Sequence, residues 1–336
     1  MLVRGSRPTA PLGLVVNLSA RAVQRRHLGR EPFWRAHVPD GLVRLTRSLE
    51  DLDAAVAAFR EEGVRLVAVL GGDGSLHHLV DAVIRLYEEA DAPVVLALAG
   101  GTMNGLPRAL GTGGAPEGVL RAAVAALADE APPVHARHML RVADARDGST
   151  RHGFSFATGL VYRVYQRYYR APEPGIADAV LASLLPLKAA LVGGSFYEGV
   201  HLDVRSDGAP WLPEPPHTLV ASVVDNPLLW FEPFGTPLGD TAAFHLGATS
   251  MRPREIALRL WPIFRGRCRH PRLRVGRSRD TTVRGDIGYL IDGDLYPGGG
   301  AVDVRLTVGP RLRFLVPDAS APRARPDKVL AMTTTR

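Results

Sequence analysis

The stretch from Val64 to Tyr87 constrains this chain more than any other. Val64–Leu70 (VRLVAVL) is an apolar run of strand length that ends in Gly71-Gly72-Asp73-Gly74-Ser75. Beyond the glycines, Leu76, Leu79, Val80, Val83 and Tyr87 recur at the spacing of one helix face. A strand, a glycine turn and a helix in that order let the backbone turn sharply and approach an anion, with the free amides of the helix start facing it. A carboxylate inside such a loop is electrostatically odd for simple phosphate binding. Asp73 makes sense if it accepts a proton from an attacking hydroxyl or helps to hold a magnesium ion. A glycine-rich turn with a capping Asp gives the same string.

The surrounding pattern repeats the unit. Leu12–Asn17 and Leu42–Thr46 read as strands, and Ser48 as the N-cap of a helix that carries Leu52, Val56 and Phe59 and closes at Gly63. Pro93–Ala99 is a further strand, followed by a second tight loop, Gly100-Gly101-Thr102-Met103-Asn104, and by a helix over Pro116–Asp129. Alternation of this kind predicts a parallel sheet with right-handed crossovers, and both glycine loops then fall on its carboxyl edge, where open α/β sheets bind ligands.

The character changes at Pro132-Pro133. His138–Ala143, the Asp147-Gly148 turn, His152–Thr158, Leu219–Val224, Thr241–Ala248 and Val302–Val308 are short alternating runs broken by turns, with helical interruptions near Tyr162–Arg170, Ala177–Val192 and Pro253–Phe264. The expectation is an α/β domain over residues 1–133 with a Rossmann-like parallel sheet, an antiparallel β-sandwich domain over 134–317, and a loose tail over 318–336. Within the second part, Tyr289–Asp294 (YLIDGD) runs a strand into a tight turn with two carboxylates. Alone it reads as an exposed hairpin turn; with the glycine loops it becomes an acidic patch at the cleft between domains.

Composition bounds the remaining classes. The 336 residues are 46% apolar and 22% charged, an ordinary globular balance with room for two domains. The single cysteine, Cys268, excludes an intramolecular disulfide framework and fits a reducing, cytoplasmic compartment. The basic N-terminus lacks the apolar core of a signal peptide, and Ala177–Val192 is too short and too interrupted (Asp178, Pro186, Lys188) to span a bilayer, so it reads as a buried or pocket-lining helix. Net charge is +7, which a high-arginine genome would explain, but ten arginines fall between Arg252 and Arg279 with Glu255 as the one acid among them. With Trp261 and Phe264 inside it, that segment suits a peripheral contact with an anionic membrane surface on the inner face. No nucleic-acid signature, hydrolase elbow, CxxC pair or HExxH occurs, so nucleic acid is not an expected partner, and the oligomeric state stays open. His135, His138 and His152 flank strands and read as structural. Asp225-Asn226-Pro227 reads equally as an Asx-Pro turn.

In sequence order, these motifs resemble the diacylglycerol kinase catalytic family, which includes bacterial diacylglycerol kinases, sphingosine kinases and ceramide kinases. GGDGSLHHLVDAV is similar to its GGDGT-x-x-E-V-V-N-G signature, GGTMNGLPRAL to its GTxNDFAR loop, IDGD to its late DGE and LGLVVNLSA to its opening strand and loop; the likeness covers roughly residues 12–317. GGDG alone is shared with NAD kinases and phosphofructokinases. The resemblance implies an NAD kinase/diacylglycerol kinase-like fold, ATP and Mg2+ as cofactors, and a membrane lipid of diacylglycerol, sphingoid-base or ceramide type as phosphate acceptor. It implies Asp73 as the activating carboxylate, with Asp294 also catalytic. Asn17, Gly71, Gly72, Gly74, Ser75, Gly101, Thr102 and Asn104 would bind nucleotide, Arg170 would contact phosphate, and Asp292 with Asp294 would hold the metal. His77-His78 stand where the family has Asn-Glu, Gly105 replaces an acid, and Asp294 is one methylene shorter than glutamate. Neighbours on a helix point apart, so the two histidines are not expected to form a metal pair. A soluble-substrate kinase related to NAD kinases and a non-catalytic lipid-binding relative are the competing readings.

Overall fold

The computed structural model describes residues 12–26, 28–38, 42–126, 133–170, 199–226, 232–239 and 241–317. The apolar helix expected at Ala177–Val192 and the tail at 318–336 lie outside the described residues.

The first half alternates as its pattern predicts. Strand β1 (Leu12–Asn17) leads through helices α1 (Arg21–Arg25) and α2 (Glu31–His37) to β2 (Leu42–Thr46), then α3 (Leu49–Glu61), β3 (Leu66–Gly71), α4 (Asp73–Leu86), β4 (Val94–Ala99), α5 (Gly105–Ala109) and α6 (Pro116–Ala126). The strands pair in the order β2-β1-β3-β4, all parallel. Successive side chains of a strand face opposite ways. Val67 and Val69 of β3 accordingly pack with α3 and α4 through Phe59, Leu79 and Val83. Leu66, Ala68 and Leu70 of the same strand pack with α1, α2 and α6 through Val23, Trp34 and Leu120. Near-continuous apolar strands are what a sheet covered on both faces requires. Ser48 caps α3 through a reciprocal pair with Asp51, its hydroxyl accepting from the Asp51 amide at 3.1 Å while the Asp51 carboxylate accepts from the Ser48 amide.

Beyond residue 133 the strands are β5 (Val134–Asp144), β6 (Thr150–Gly153), β7 (Ser155–Gly159), β8 (Leu202–Ser206), β9 (Ala209–Pro210), β10 (Thr218–Ser222), β11 (Phe244–Thr249), β12 (Leu273–Ser278), β13 (Asp280–Gly285), β14 (Tyr289–Ile291), β15 (Asp294–Tyr296) and β16 (Val302–Leu315), with α7 (Leu160–Tyr168) after β7. They form two layers. β12-β11-β10-β7-β14-β15 is a separate antiparallel sheet, while β5, β6, β8, β9, β13 and β16 extend the sheet begun by the parallel strands. The seam is β16, which runs antiparallel to β5 and β13 and then lies parallel to β4 at Phe314 and Val95. The change of character at residue 133 is therefore a change of strand direction within one sheet as well as the start of a second. Both layers feed one buried cluster, with Met139, Val283 and Leu306 from one and Phe156, Leu219 and Tyr289 from the other.

The run His152–Thr158 divides into β6 and β7, one in each sheet, around a bend at Phe154. The cause is a distant side chain: the Asp292 carboxylate accepts the amides of Phe154 at 2.8 Å and Ser155 at 2.7 Å, groups that a continuous strand would have given to a neighbour.

Candidate active site

The two glycine loops meet backbone to backbone. Gly100 donates to the Gly71 carbonyl at 2.8 Å, and a Cβ on Gly101 would collide with the Cα of Gly72. A Cβ on Gly71 would strike Ser75, whose hydroxyl is held by the Asn17 amide group at 2.8 Å. Helix α4 begins at Asp73 with Gly72 as its N-cap, so no side chain covers its first amides. An uncapped helix start attracts an anion.

Asp73 does something the sequence does not reveal. Its two oxygens accept the amides of Gly105 at 3.1 Å and Leu106 at 2.8 Å, so it serves as the anionic cap of α5 and ties the first loop to the second. Burial pushes its pKa above the ordinary aspartate value, against the pull of the two amides. Asn104, in the left-handed region at φ 52°, closes its own loop by accepting from Gly101 N at 2.7 Å and donating to Gly101 O at 3.0 Å.

The Asp292-Gly293 turn joins β14 to β15 with φ of 50° and 99°, the positive values that a two-residue hairpin of the primed type needs. Asp292 is buried and fully engaged. Besides the two amides it accepts the Ser155 hydroxyl at 2.9 Å and contacts His77 Nδ1 at 3.2 Å. Asp294 is different: it overhangs Gly74, and its buried Oδ2 receives no hydrogen bond although His78 Nε2 lies 2.9 Å away. The expected divergence of His77 and His78 does not hold. Their ring centroids are 4.8 Å apart, because both rings lean from the first turn of α4 toward the β14–β15 hairpin. Burial opposes the His77 imidazolium, yet the hydrogen bond to Asp292 and the nearby carboxylates raise its pKa overall.

Two chambers share this centre. One, of about 430 Å³, is lined by Asn17, Arg21, Arg47, Gly72, Ser75 and Gly101. The other, of about 230 Å³, holds Asp73 among Met103, Phe156, Val161, Tyr165 and Leu290. Gly74, Thr102, Tyr168, Tyr169 and Asp294 face both. The tyrosine wall went unread in the sequence, although Tyr165, Tyr168 and Tyr169 follow the i, i+3, i+4 spacing that marks one helix face. Burial raises the pKa of both Tyr165 and Tyr169, so their phenols stay protonated as possible donors. Arg170 is exposed beyond the end of α7 and lines neither chamber. His138 and His152 are tied to Gly309 O and to Asp81. Cys268 is buried, which pushes its thiol pKa up against the pull of Arg259 and Arg269. Among the described residues no helix is long and apolar enough to cross a membrane.

Comparison with known proteins agrees with the motifs. Residues 16–136 match the model of the diacylglycerol kinase catalytic domain. Two solved structures of Bacillus anthracis str. Sterne share the fold. One, ascribed to the diacylglycerol kinases, superposes with a TM-score of 0.67 at 14% identity, covering 92% of this chain and 98% of its own. The other, a diacylglycerol kinase by its description, gives 0.60 at 13% identity over 91% and 96%. A search of curated proteins returns no match. Residues 16–136, which carry both glycine loops, thus match the diacylglycerol kinase catalytic domain, and they are set in a fold that those Bacillus proteins share over nearly the whole chain.

Proposed function

We propose that the chain transfers a phosphoryl group from ATP to a hydroxyl of a membrane lipid of the diacylglycerol, sphingoid-base or ceramide type. The observation that carries this reading is the pair of chambers, one lined by Arg21 and Arg47 with Asn17 and Ser75, the other apolar and aromatic and holding Asp73, with Asp294 facing both. The larger falls in the size range of nucleotide-sized pockets, and the uncapped start of α4 opens beside it. The smaller suits a headgroup-sized alcohol, with acyl chains running outward past the tyrosines.

The chemistry assigned to the residues is brief. Asp73 takes up the proton of the acceptor hydroxyl as the hydroxyl oxygen bonds to phosphorus, and the nucleoside diphosphate leaves on the arginine-lined side. The elevated pKa of Asp73 makes it a stronger base than a free aspartate. A divalent ion would neutralise the transferring phosphate. The Asp294 Oδ2, which accepts no hydrogen bond, fits that task, whereas Asp292 has its oxygens engaged and positions the turn instead.

Contact with an anionic membrane is the matching proposal for the Arg252–Arg279 segment. Leu258 and Trp261 are 81% and 62% exposed there, with the Arg265 guanidinium 5.0 Å from the Trp261 ring. Binding to anionic vesicles that the double variant L258E/W261E loses would support it.

The decisive assay incubates the purified chain with labelled ATP, a divalent metal and a panel of lipid alcohols. One labelled lipid is expected, with Asp73→Asn lowering kcat by roughly 10²–10⁴ while ATP binding survives. Label on NAD alone would favour a soluble-substrate kinase, and nucleotide binding without turnover a regulatory relative.

A further inference from the structure

His77 and His78, which stand where the resemblance puts Asn-Glu, share a target. One ligand atom from each of His77, His78 and Asp294 lies within 4.8 Å of the others. The Asp294 Oδ2 that faces His78 Nε2 at 2.9 Å is buried and accepts no hydrogen bond, so the pair has the closeness of an interaction without its geometry. Ligands of one first-row ion, each at about 2.1 Å from it, stand roughly 3.0–3.5 Å apart, so this spacing suits two ligands of a common cation.

The support behind these atoms is equally specific. His77 Nδ1 lies 3.2 Å from the Asp292 carboxylate, which leaves Nε2 on the far side of the ring, with only the Tyr296 hydroxyl at 3.4 Å. A carboxylate behind one imidazole nitrogen is the arrangement that fixes the tautomer and aim of a metal-bound histidine. Asp292 is itself held by the Phe154 and Ser155 amides and the Ser155 hydroxyl. The cluster therefore has a histidine with an orienting acid behind one nitrogen and a second layer that fixes the acid.

We propose that His77, His78 and Asp294 bind one divalent transition ion of the zinc or cobalt kind, in preference to Mg2+, at the wall shared by the two chambers. Imidazole nitrogen suits such ions, while Mg2+ favours oxygen ligands in a near-ideal octahedron. Three protein ligands leave positions open to water or a phosphate oxygen. The inference rests on the kinase reading only for what the ion does there, not for whether it binds.

The test uses the untagged full chain, stripped with a chelator and titrated with Co2+ while visible ligand-field absorption is followed. One Co2+ per chain is expected, displaced by stoichiometric Zn2+ and unmoved by a hundredfold excess of Mg2+. His78→Ala and Asp294→Asn should each weaken Co2+ at least tenfold. His78→Glu, which substitutes an oxygen ligand, should shift preference toward Mg2+. Both side chains are about a third exposed (30% for His78, 34% for Asp294), so the variants should fold, and each answers separately. Equal Co2+ affinity in wild type, H78A and D294N, or displacement by Mg2+ at equal concentration, overturns the site. Lipid phosphorylation by a chain that binds no Co2+ removes the metal inference alone. Tight Co2+ binding without phosphorylation under any metal removes the kinase reading and leaves the site.

Discussion

The glycine-loop edge and the β14–β15 hairpin both carry acids into one cleft, but they are held by opposite means. At the loop edge the backbone does the work, because residues without side chains let two loops touch, and Asp73 adds only a cap on the amides of Gly105 and Leu106. At the hairpin the backbone is an ordinary tight turn, and a single carboxylate, Asp292, collects donors from β7, from the bend before it and from α4. The first design depends on what is absent from the sequence, the second on one side chain being present. The loop edge should therefore yield to added atoms and the hairpin to a removed charge.

The largest effect is expected at the hairpin. Asp292→Asn leaves His77 without its buried partner and turns an amide NH2 toward groups that already donate. It should lower stability by about 3–5 kcal/mol in urea unfolding, and a cost below about 1 kcal/mol would show that the hairpin is anchored elsewhere. At the loop edge, Gly101→Ala forces a Cβ onto the Gly72 Cα and should cost about 1–3 kcal/mol. Gly72→Ala puts its Cβ at an ordinary 3.4 Å from Gly101, with φ −86°, and should stay within about 1 kcal/mol of wild type. Equal losses in the two variants would break the contrast between them.

The smallest effect concerns the tie between α4 and β6. Asp81 accepts the His152 amide at 3.0 Å and contacts its ring at 3.3 Å. Burial alone would raise the Asp81 pKa, but the His152 and Arg85 contacts lower it overall. A carboxylate whose folded pKa is depressed contributes stability above its unfolded pKa of about 3.9, and loses it as pH falls through the folded value. Asp81→Asn should thus cost about 1 kcal/mol at neutral pH. The gap from wild type should close in strong acid, and a gap independent of pH would exclude the charge as its cause.

The same contrast decides what could be read from the sequence. The parallel half was legible because strand-length apolar runs, the Ser48 cap and the two glycine loops are local signals, each resolved within a few residues. The split of His152–Thr158 was not, since its cause is Asp292, 138 residues from Phe154. The divergence expected of His77 and His78 was misjudged for a related reason. Helical spacing says where a side chain leaves the backbone, not what a hairpin arriving from the other sheet will draw it toward. The roles of Asp73 and Asp292 were blurred likewise, because identity and spacing do not say whether a carboxylate's lone pairs are already engaged.

Strand β16 gives the molecule an order of completion. Its Phe314 covers the outer edge of β4 at Val95, so on the ribosome that edge waits for a segment made about two hundred residues later, some 10–40 s at ordinary rates of synthesis. Through that interval the parallel half presents an unpaired strand edge, the kind of surface that chaperones shield and that other chains can pair with. Asp292 and Asp294 emerge only shortly before Phe314, so the acids reach the cleft just as its sheet becomes able to close. A nascent chain thus acquires its finished fold and its finished site in the same short stretch of translation.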